Sequence, residues 1–304
     1  MIITLTGNNL FGMKQRLDEL TDKFVAKYGD LALERYDGEE AEAEAILEAI
    51  NSLPFLAPRK MVVVRNASQN KPFSEQIEQI ISSIPETTDL VIYDPLTDKR
   101  TAFYKFLRSK TQLEEYGDLD SRELAKWLVK EADFQGGSLE IGDARYLVER
   151  LGPNQQLLSN ELQKLTIYNP EINRENIDML TEPTPQSKIF DLLDAAFKDD
   201  KKRALELYEE QRAQKVEPPS ILAMLAWQLE LITLAKLAKG KNSAEIAKEA
   251  GVSPFPISKA ATLAKNIADK KLKAMVNEAF EMDLKSKTKN LDLDEALKAY
   301  ILSL

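Results

Sequence analysis

Neither cysteine nor histidine occurs anywhere in these 304 residues. Without cysteine there are no disulfides, no thiolate metal sites and no thiol nucleophile, and the chain is compatible with a reducing cytoplasm. Without histidine, Ser-His-Asp hydrolysis, imidazole acid–base chemistry and most zinc sites are excluded. Catalysis would have to rest on carboxylates, lysine, tyrosine or a phosphate-binding loop. No apolar run is expected to approach the length of a membrane span. The opening residues, MIITLTG, read as a strand with no basic segment ahead of it. No internal repeat or low-complexity tract is evident.

Charge is plentiful and unevenly spread. Charged residues make up 30% and apolar residues 43%, the composition of an ordinary soluble protein, and the length suits two or three domains. Of the net charge of −9, residues 1–185 carry 21 Lys+Arg against 32 Asp+Glu, and residues 186–304 carry 20 against 18. That balance argues against strong autonomous nucleic-acid binding, which phosphate neutralisation drives, but leaves room for weak contacts from the C-terminal half.

Up to about residue 119, strand and helix patterns alternate. Strands are expected at 2–6, 31–36, 61–65, 90–93 and 111–116, and helices at 14–27, 39–50, 74–83 and 100–109. Repeated βα units with short connections imply a mostly parallel sheet covered on both faces. Beyond that point the strand signal disappears. Asp120-Ser121-Arg122-Glu123 offers a cap for a helix at 124–134, and helices at 141–151, 155–168 and 174–180 follow between Gly152-Pro153 and Asn169-Pro170 breakers. TEPTPQS, residues 181–187, is the best linker. From residue 188 everything reads helical, at 188–197, 200–213, 218–239, 243–250, 256–268, 270–287 and 293–303. The expected fold class is α/β plus all-α, with domains at 1–119, 120–185 and 186–304.

Several stretches imitate chemistry. The loop Gly7-Asn8-Asn9-Leu10-Phe11-Gly12-Met13-Lys14-Gln15 nearly matches a phosphate-binding loop, which needs the second Gly followed directly by Lys and Ser/Thr. Met13 displaces the lysine by one residue, roughly 100° around the coming helix, and Gln15 stands where a hydroxyl should meet Mg²⁺. Nor does the third or fourth strand, ending in Arg65-Asn66 and Asp94-Pro95, offer the acidic pair that would hold the metal. The plain reading is a strand-to-helix turn. AKEAGVSPFPISKAATLA, residues 247–264, has helix-turn-helix spacing. Its second helix, however, would present Pro254, Phe255 and Pro256 to bases, not Arg, Asn or Gln, so a packed corner is the better reading. Lys259, Lys265, Lys270, Lys271 and Lys273 form a local basic excess, ordinarily a solvated helix face, with weak phosphate contact as the minor reading. Trp127 and Trp227 lie on apolar stripes and read as core. No metal or cofactor site emerges.

The stretch NSLPFLAPRKMVVVRNA, residues 51–67, is different. Met61-Val62-Val63-Val64 is a doubly buried strand, yet just before it Leu53, Phe55, Leu56 and Ala57 crowd between and beside Pro54 and Pro58. By pattern alone this tip is either an exposed anchor for a partner or a plug in the chain's own core.

LTGNNLFGMKQRLDEL, the tip and strand LPFLAPRKMVVVRNA, IFDLLDAAF, EPPSILAMLAWQLELI, GVSPFPISKAATLA and DLKSKTKNLDLDEALKAYILSL, in this order, resemble the delta subunits of the bacterial replicative clamp loader, a component of DNA polymerase III holoenzyme. LGPNQQLLSNELQKLTIY joins them through Gly152, Asn154, Leu158, Glu161, Leu162, Lys164, Leu165 and Tyr168. The resemblance covers essentially the whole chain; each piece alone is weakly specific, but their order is highly so. It implies an AAA+-type parallel-sheet domain, a small helical lid and a helical collar, with no working P-loop, no cofactor and no catalytic site of its own. Polymerase activity belongs to the holoenzyme, and ATP hydrolysis to the loader's motor subunits. It further implies that Leu53, Phe55 and Leu56 bind the ring-shaped sliding clamp (beta) and help open it. The collar would meet gamma/tau and delta-prime type subunits, with primed DNA met only in the assembly, in the cytoplasm and away from membranes. Phe55-Leu56 departs from the family's commoner Leu-Phe order. Two other classes, an active P-loop NTPase and a helix-turn-helix regulator, would be marked by Mg-ATP turnover and by sequence-selective duplex binding.

Overall fold

A computed structural model describes residues 1–238, 241–289 and 291–304. The chain divides into two units, Met1–Asp118 and Leu119–Leu304. The first opens β1 (Ile2–Gly7), α1 (Leu10–Tyr28), β2 (Leu33–Asp37), α2 (Ala43–Asn51) and β3 (Lys60–Arg65), then runs through the short helices α3 (Lys71–Glu75) and α4 (Ile77–Ser83) to β4 (Thr88–Pro95), α5 (Ala102–Lys110) and β5 (Gln112–Tyr116). The strands form one five-stranded sheet in the order β2-β3-β4-β1-β5, every neighbouring pair parallel. The aliphatic runs are central because both faces are covered. Val62, Val64, Leu90 and Ile92 pack under α2, α4 and α5, while Ile3, Leu5, Val63 and Val91 pack with Met13 and Phe24 of α1.

Two helices start later or break where a polar cap intervenes. The helix expected at 39–50 begins at Ala43 because Asp37 instead holds a turn, accepting from the Glu39 amide and, through its carbonyl, from the Ala41 amide. The one expected at 74–83 starts early, at Lys71 with Pro72 in its first turn and the Asn70 side chain as cap, and breaks at Gln76.

The second unit contains α6 (Ser121–Phe134), β6 (Ser138–Leu139), α7 (Ile141–Leu151), α8 (Gln155–Tyr168), β7 (Glu171–Ile172) and α9 (Arg174–Leu180), followed by α10 (Pro185–Phe197), α11 (Lys201–Ala213), α12 (Pro218–Leu237), α13 (Ser243–Ala250), α14 (Pro254–Ala264), α15 (Asp269–Thr288) and α16 (Leu293–Ser303). Asp120 and Glu123 make the capping box of α6. The unit has two hydrophobic cores, one built mainly from α6 to α9 and one from α10 to α16. The sequence shows no strand beyond about residue 119, yet β6 and β7 pair in parallel over two residues each, too short to leave a periodic signature. The 181–187 stretch is less of a linker than its composition suggests. Thr184 caps a helix that starts at Pro185, and Thr181 and Ser187 are buried.

The expectation about apolar runs also needs correction. By length and composition α12 is apolar enough to cross a membrane, with an 18-residue window of mean hydropathy 1.4. It is apolar nearly all round because α10, α14, α15 and α16 all pack on it, as befits a helix at the centre of a core. Residue 239, the expected end of this helix, lies outside the described residues.

Candidate partner-binding site

The tip between α2 and β3 does not plug the chain's own core: its bulky side chains face solvent. Leu53, Phe55 and Leu56 are 80%, 77% and 80% exposed. Leu56 also sits at φ 58°, a left-handed conformation that a bulky side chain adopts only when its surroundings impose it. Pro54 and Pro58 fix φ on either side of it.

What holds the tip is buried chemistry at its base. Lys60 opens β3 with its side chain almost wholly buried, and its ammonium donates to Ser52 Oγ at 2.6 Å and to the Ala49 carbonyl in the last turn of α2, with Glu34 3.8 Å away. Burial pulls the Lys60 pKa below the ordinary lysine value, against the opposing pull of Glu34. Next to it, Arg59 Nη2 meets Asp89 Oδ1 at 2.6 Å, and the same oxygen takes the amino terminus of Met1 at 2.7 Å. Burial works against the Asp89 carboxylate, yet these two cations hold its pKa below the usual range. Ala57, on the return limb, packs on the core that holds Phe24, Ala32 and Leu33. Two cationic side chains thus clamp the stem while the apolar tip stays in solvent.

Leu31 was read only as the start of a strand, yet it is 82% exposed. It sits in a 3-10 turn, Asp30–Ala32, just ahead of β2, at the sheet end where Leu33 pairs with Met61 near the start of β3. The strand expected at 31–36 begins at Leu33, and the turn before it buries Ala32 while leaving Leu31 outside, which no sequence pattern flags.

At the opposite ends of the strands, the loop after β1 has spent its donors. The amides of Asn8 and Asn9 both donate to the Tyr116 carbonyl, at 3.0 and 3.2 Å, and the Asn9 side chain accepts from the Gly12 amide at 2.9 Å. Gly7, at φ +132°, lies so close to β5 that a Cβ there would stand 1.9 Å from the Tyr116 oxygen. Lys14 pairs with Asp18 along its own helix at 2.6 Å. Asp94, at the end of β4, accepts from the amide and hydroxyl of Ser68, both at 2.9 Å, and burial raises its pKa. Among the described residues no cluster of acidic side chains could hold a metal ion.

Of the basic group, Lys265, Lys270, Lys271 and Lys273 are exposed. Lys259 is not part of that face. Its ammonium lies over the Phe190 and Phe255 rings, 5.4 and 5.6 Å from their centroids, and donates to the Glu149 carbonyl at 3.2 Å, and burial lowers its pKa. It follows Phe255 by one helical turn, so the inward face that buries Phe255 takes the lysine with it. Phe255, Pro256 and Ile257 are themselves buried, which leaves the start of α14 no face for reading bases. Trp127 and Trp227 pack half-buried against the two cores of the second unit.

Two family models match the chain: "DNA polymerase III, delta subunit" over residues 4–116, and "DNA polymerase III delta subunit, C-terminal domain" over residues 186–304. A curated relative, the DNA polymerase III subunit delta of Bacillus subtilis (strain 168), is 24% identical over 321 residues, covering 100% of this chain and 92% of the relative. Among solved structures, the Bacillus subtilis DNA clamp loader delta protein aligns with a TM-score of 0.77 at 21% identity, over 99% of this chain and 94% of that one. At that identity the likeness speaks for the fold. The fold class is as expected, α/β plus all-α, a parallel-sheet unit followed by helices.

Proposed function

The chain belongs to the delta subunit family of DNA polymerase III, and from that premise we propose that it serves the replicative clamp loader as the subunit that grips the sliding clamp and opens its ring. It does so without catalysis of its own. Leu53, Phe55 and Leu56 form the anchor, and Leu31 flanks it. Residues 1–119 act as the clamp-binding domain, 120–185 as the lid and 186–304 as the collar that packs against the gamma/tau and delta-prime type subunits. Primed DNA is met only within that assembly, in the cytoplasm, for DNA replication.

The observation that carries this reading is the pair of exposed bulky side chains on a stiffened, well-anchored tip. Each such side chain is worth roughly 1.5–3 kcal/mol when moved from water into a partner's pocket. Proline on either side and the Lys60 stem reduce the ordering cost of docking. Insertion at the edge of one ring interface would favour the open ring to the extent that the anchor binds it more tightly than the closed one.

Changing Phe55 and Leu56 together to Ala is expected to lower clamp affinity on the order of a hundredfold or more, since hot-spot truncations cost about 2 kcal/mol or more each. The melting temperature should hardly move, because exposed substitutions stay within about 0.5 kcal/mol. Leu31→Ala in the same assay should give a smaller loss. Surface plasmon resonance against the sliding clamp from the same cell, with thermal melts alongside, reads both. Normal clamp binding by the double variant would remove the anchor assignment.

A further inference from the structure

A cavity of about 230 Å³ in the second unit lies between the start of α6, the middle of α7 and the face of α14. Its lining includes three cationic side chains, Arg122, Arg145 and Lys259, against one carboxylate, Glu149. Neither guanidinium has a hydrogen-bond or ion-pair partner among the described residues. Of the twelve arginines, six are paired with acids, Arg16, Arg59, Arg100, Arg150, Arg203 and Arg212, whereas these two line one cavity without such a partner.

We propose that this cavity is an anion subsite that takes a terminal phosphate or diphosphate group. Lys259 forms its inner wall. Its ammonium stands over the rings of Phe190 and Phe255 and gives one of its three protons to the Glu149 carbonyl, so that among the described residues no further acceptor takes the others. Asp191 and Glu149 are the carboxylates acting on it. They limit the positive charge in the depth of the cavity, so the attraction comes mainly from the two arginines at its mouth. The cap carboxylate of Asp120 is occupied by the amides of Arg122 and Glu123 and does not compete for the guanidiniums. Ser258 and Thr262, also in the lining, direct their hydroxyl protons to carbonyls of their own helix.

The ligand class follows from geometry and size. A guanidinium offers a planar fork that matches two oxygens at once, and two forks with an ammonium require more oxygens than a carboxylate carries. At ~30 Å³ per displaced water the space corresponds to roughly eight waters. That holds a phosphate or diphosphate and is below the ~300 Å³ at which pockets begin to enclose a drug-sized molecule. The rest of the ligand therefore stays outside.

The test is calorimetric titration of inorganic pyrophosphate into the full chain. Saturable one-site binding is expected, weakened on the order of tenfold or more in the Arg122→Ala, Arg145→Ala double variant. Both arginines are exposed, so the variant should melt as the parent does. Lys14→Ala should bind as the parent, which separates this cavity from the loop after β1. Two further arms distinguish the source. ADP binding at this site assigns a free nucleotide, whereas preference for a 5′-phosphorylated oligonucleotide over its 5′-hydroxyl form assigns a nucleic-acid end. No saturable heat at roughly millimolar pyrophosphate, or undiminished binding by the double variant, would overturn the proposal.

Discussion

At the scale of single residues, Lys60 is the most consequential group that the pattern left unassigned. The sequence showed it as half of a basic pair after the tip, a place where lysine normally reaches for solvent. The structure buries it and uses its protons to join Ser52 and the end of α2 to the first residue of β3. Lys60→Met keeps the stem and removes the donors, leaving the Ala49 carbonyl and Ser52 hydroxyl without them. A loss of about 1–3 kcal/mol is expected. The pH dependence has a definite sign. Burial disfavours the ammonium, so the unfolded chain holds this proton more tightly than the folded one. The folded protein therefore gains stability as pH rises from the depressed Lys60 value toward the ordinary one, and the Met variant lacks that gain. Urea unfolding at a series of alkaline pH values should show the gap between parent and variant widening upward; a constant gap would mean the lysine titrates alike folded and unfolded, and a narrowing one that folding raises its pKa.

At the scale of elements, legibility followed the mechanism that fixed each one. Segments bounded by their own capping and breaking residues, such as 141–151, 155–168 and 174–180, have the ends their sequence suggests, because Asn154, Gly152 and Asn173 act locally. Pro185 reads as linker in the sequence because proline suits a loop and the first residue of a helix equally; only the Thr184 cap and the burial of Ser187 decide. The tip residues were identifiable, but whether Phe55 and Leu56 faced inward depended on tertiary placement, and Leu31 had no signal at all.

The loop after β1 shows local reading and tertiary structure agreeing for different reasons. The sequence objects to a displaced lysine; the structure adds that the amides of Asn8 and Asn9 already serve Tyr116. A phosphate would have to displace β5 from a contact so close that Gly7 tolerates no Cβ. Calorimetry with Mg-ATP should therefore show no micromolar site attributable to this loop and no turnover. A micromolar site lost on Lys14→Ala, with hydrolysis, would restore the NTPase reading.

At the scale of the whole molecule, charge decides how the chain meets DNA. Residues 1–185 carry 32 acidic against 21 basic side chains, while the remainder is nearly balanced at 18 against 20. Such a chain repels phosphate on average, and only a local concentration of lysine can offset this. Of the basic group at 259–273 the structure leaves four lysines on the surface for duplex contact, Lys265, Lys270, Lys271 and Lys273, since Lys259 is turned inward. Four phosphate contacts would give log K a slope against log salt of about −3.6 at most for duplex DNA. No element presents side chains suited to base edges at the start of α14, so the contacts should be indifferent to sequence. Fluorescence anisotropy with labelled primer–template should thus find weak binding at physiological salt, a slope no steeper than this, and equal affinity for scrambled sequences. Replacing Lys270, Lys271 and Lys273 by Ala should flatten the slope by about 0.9 per lysine that touches a phosphate. Nanomolar, sequence-selective binding by the isolated chain would instead require a reading surface that its charge and its buried α14 do not supply.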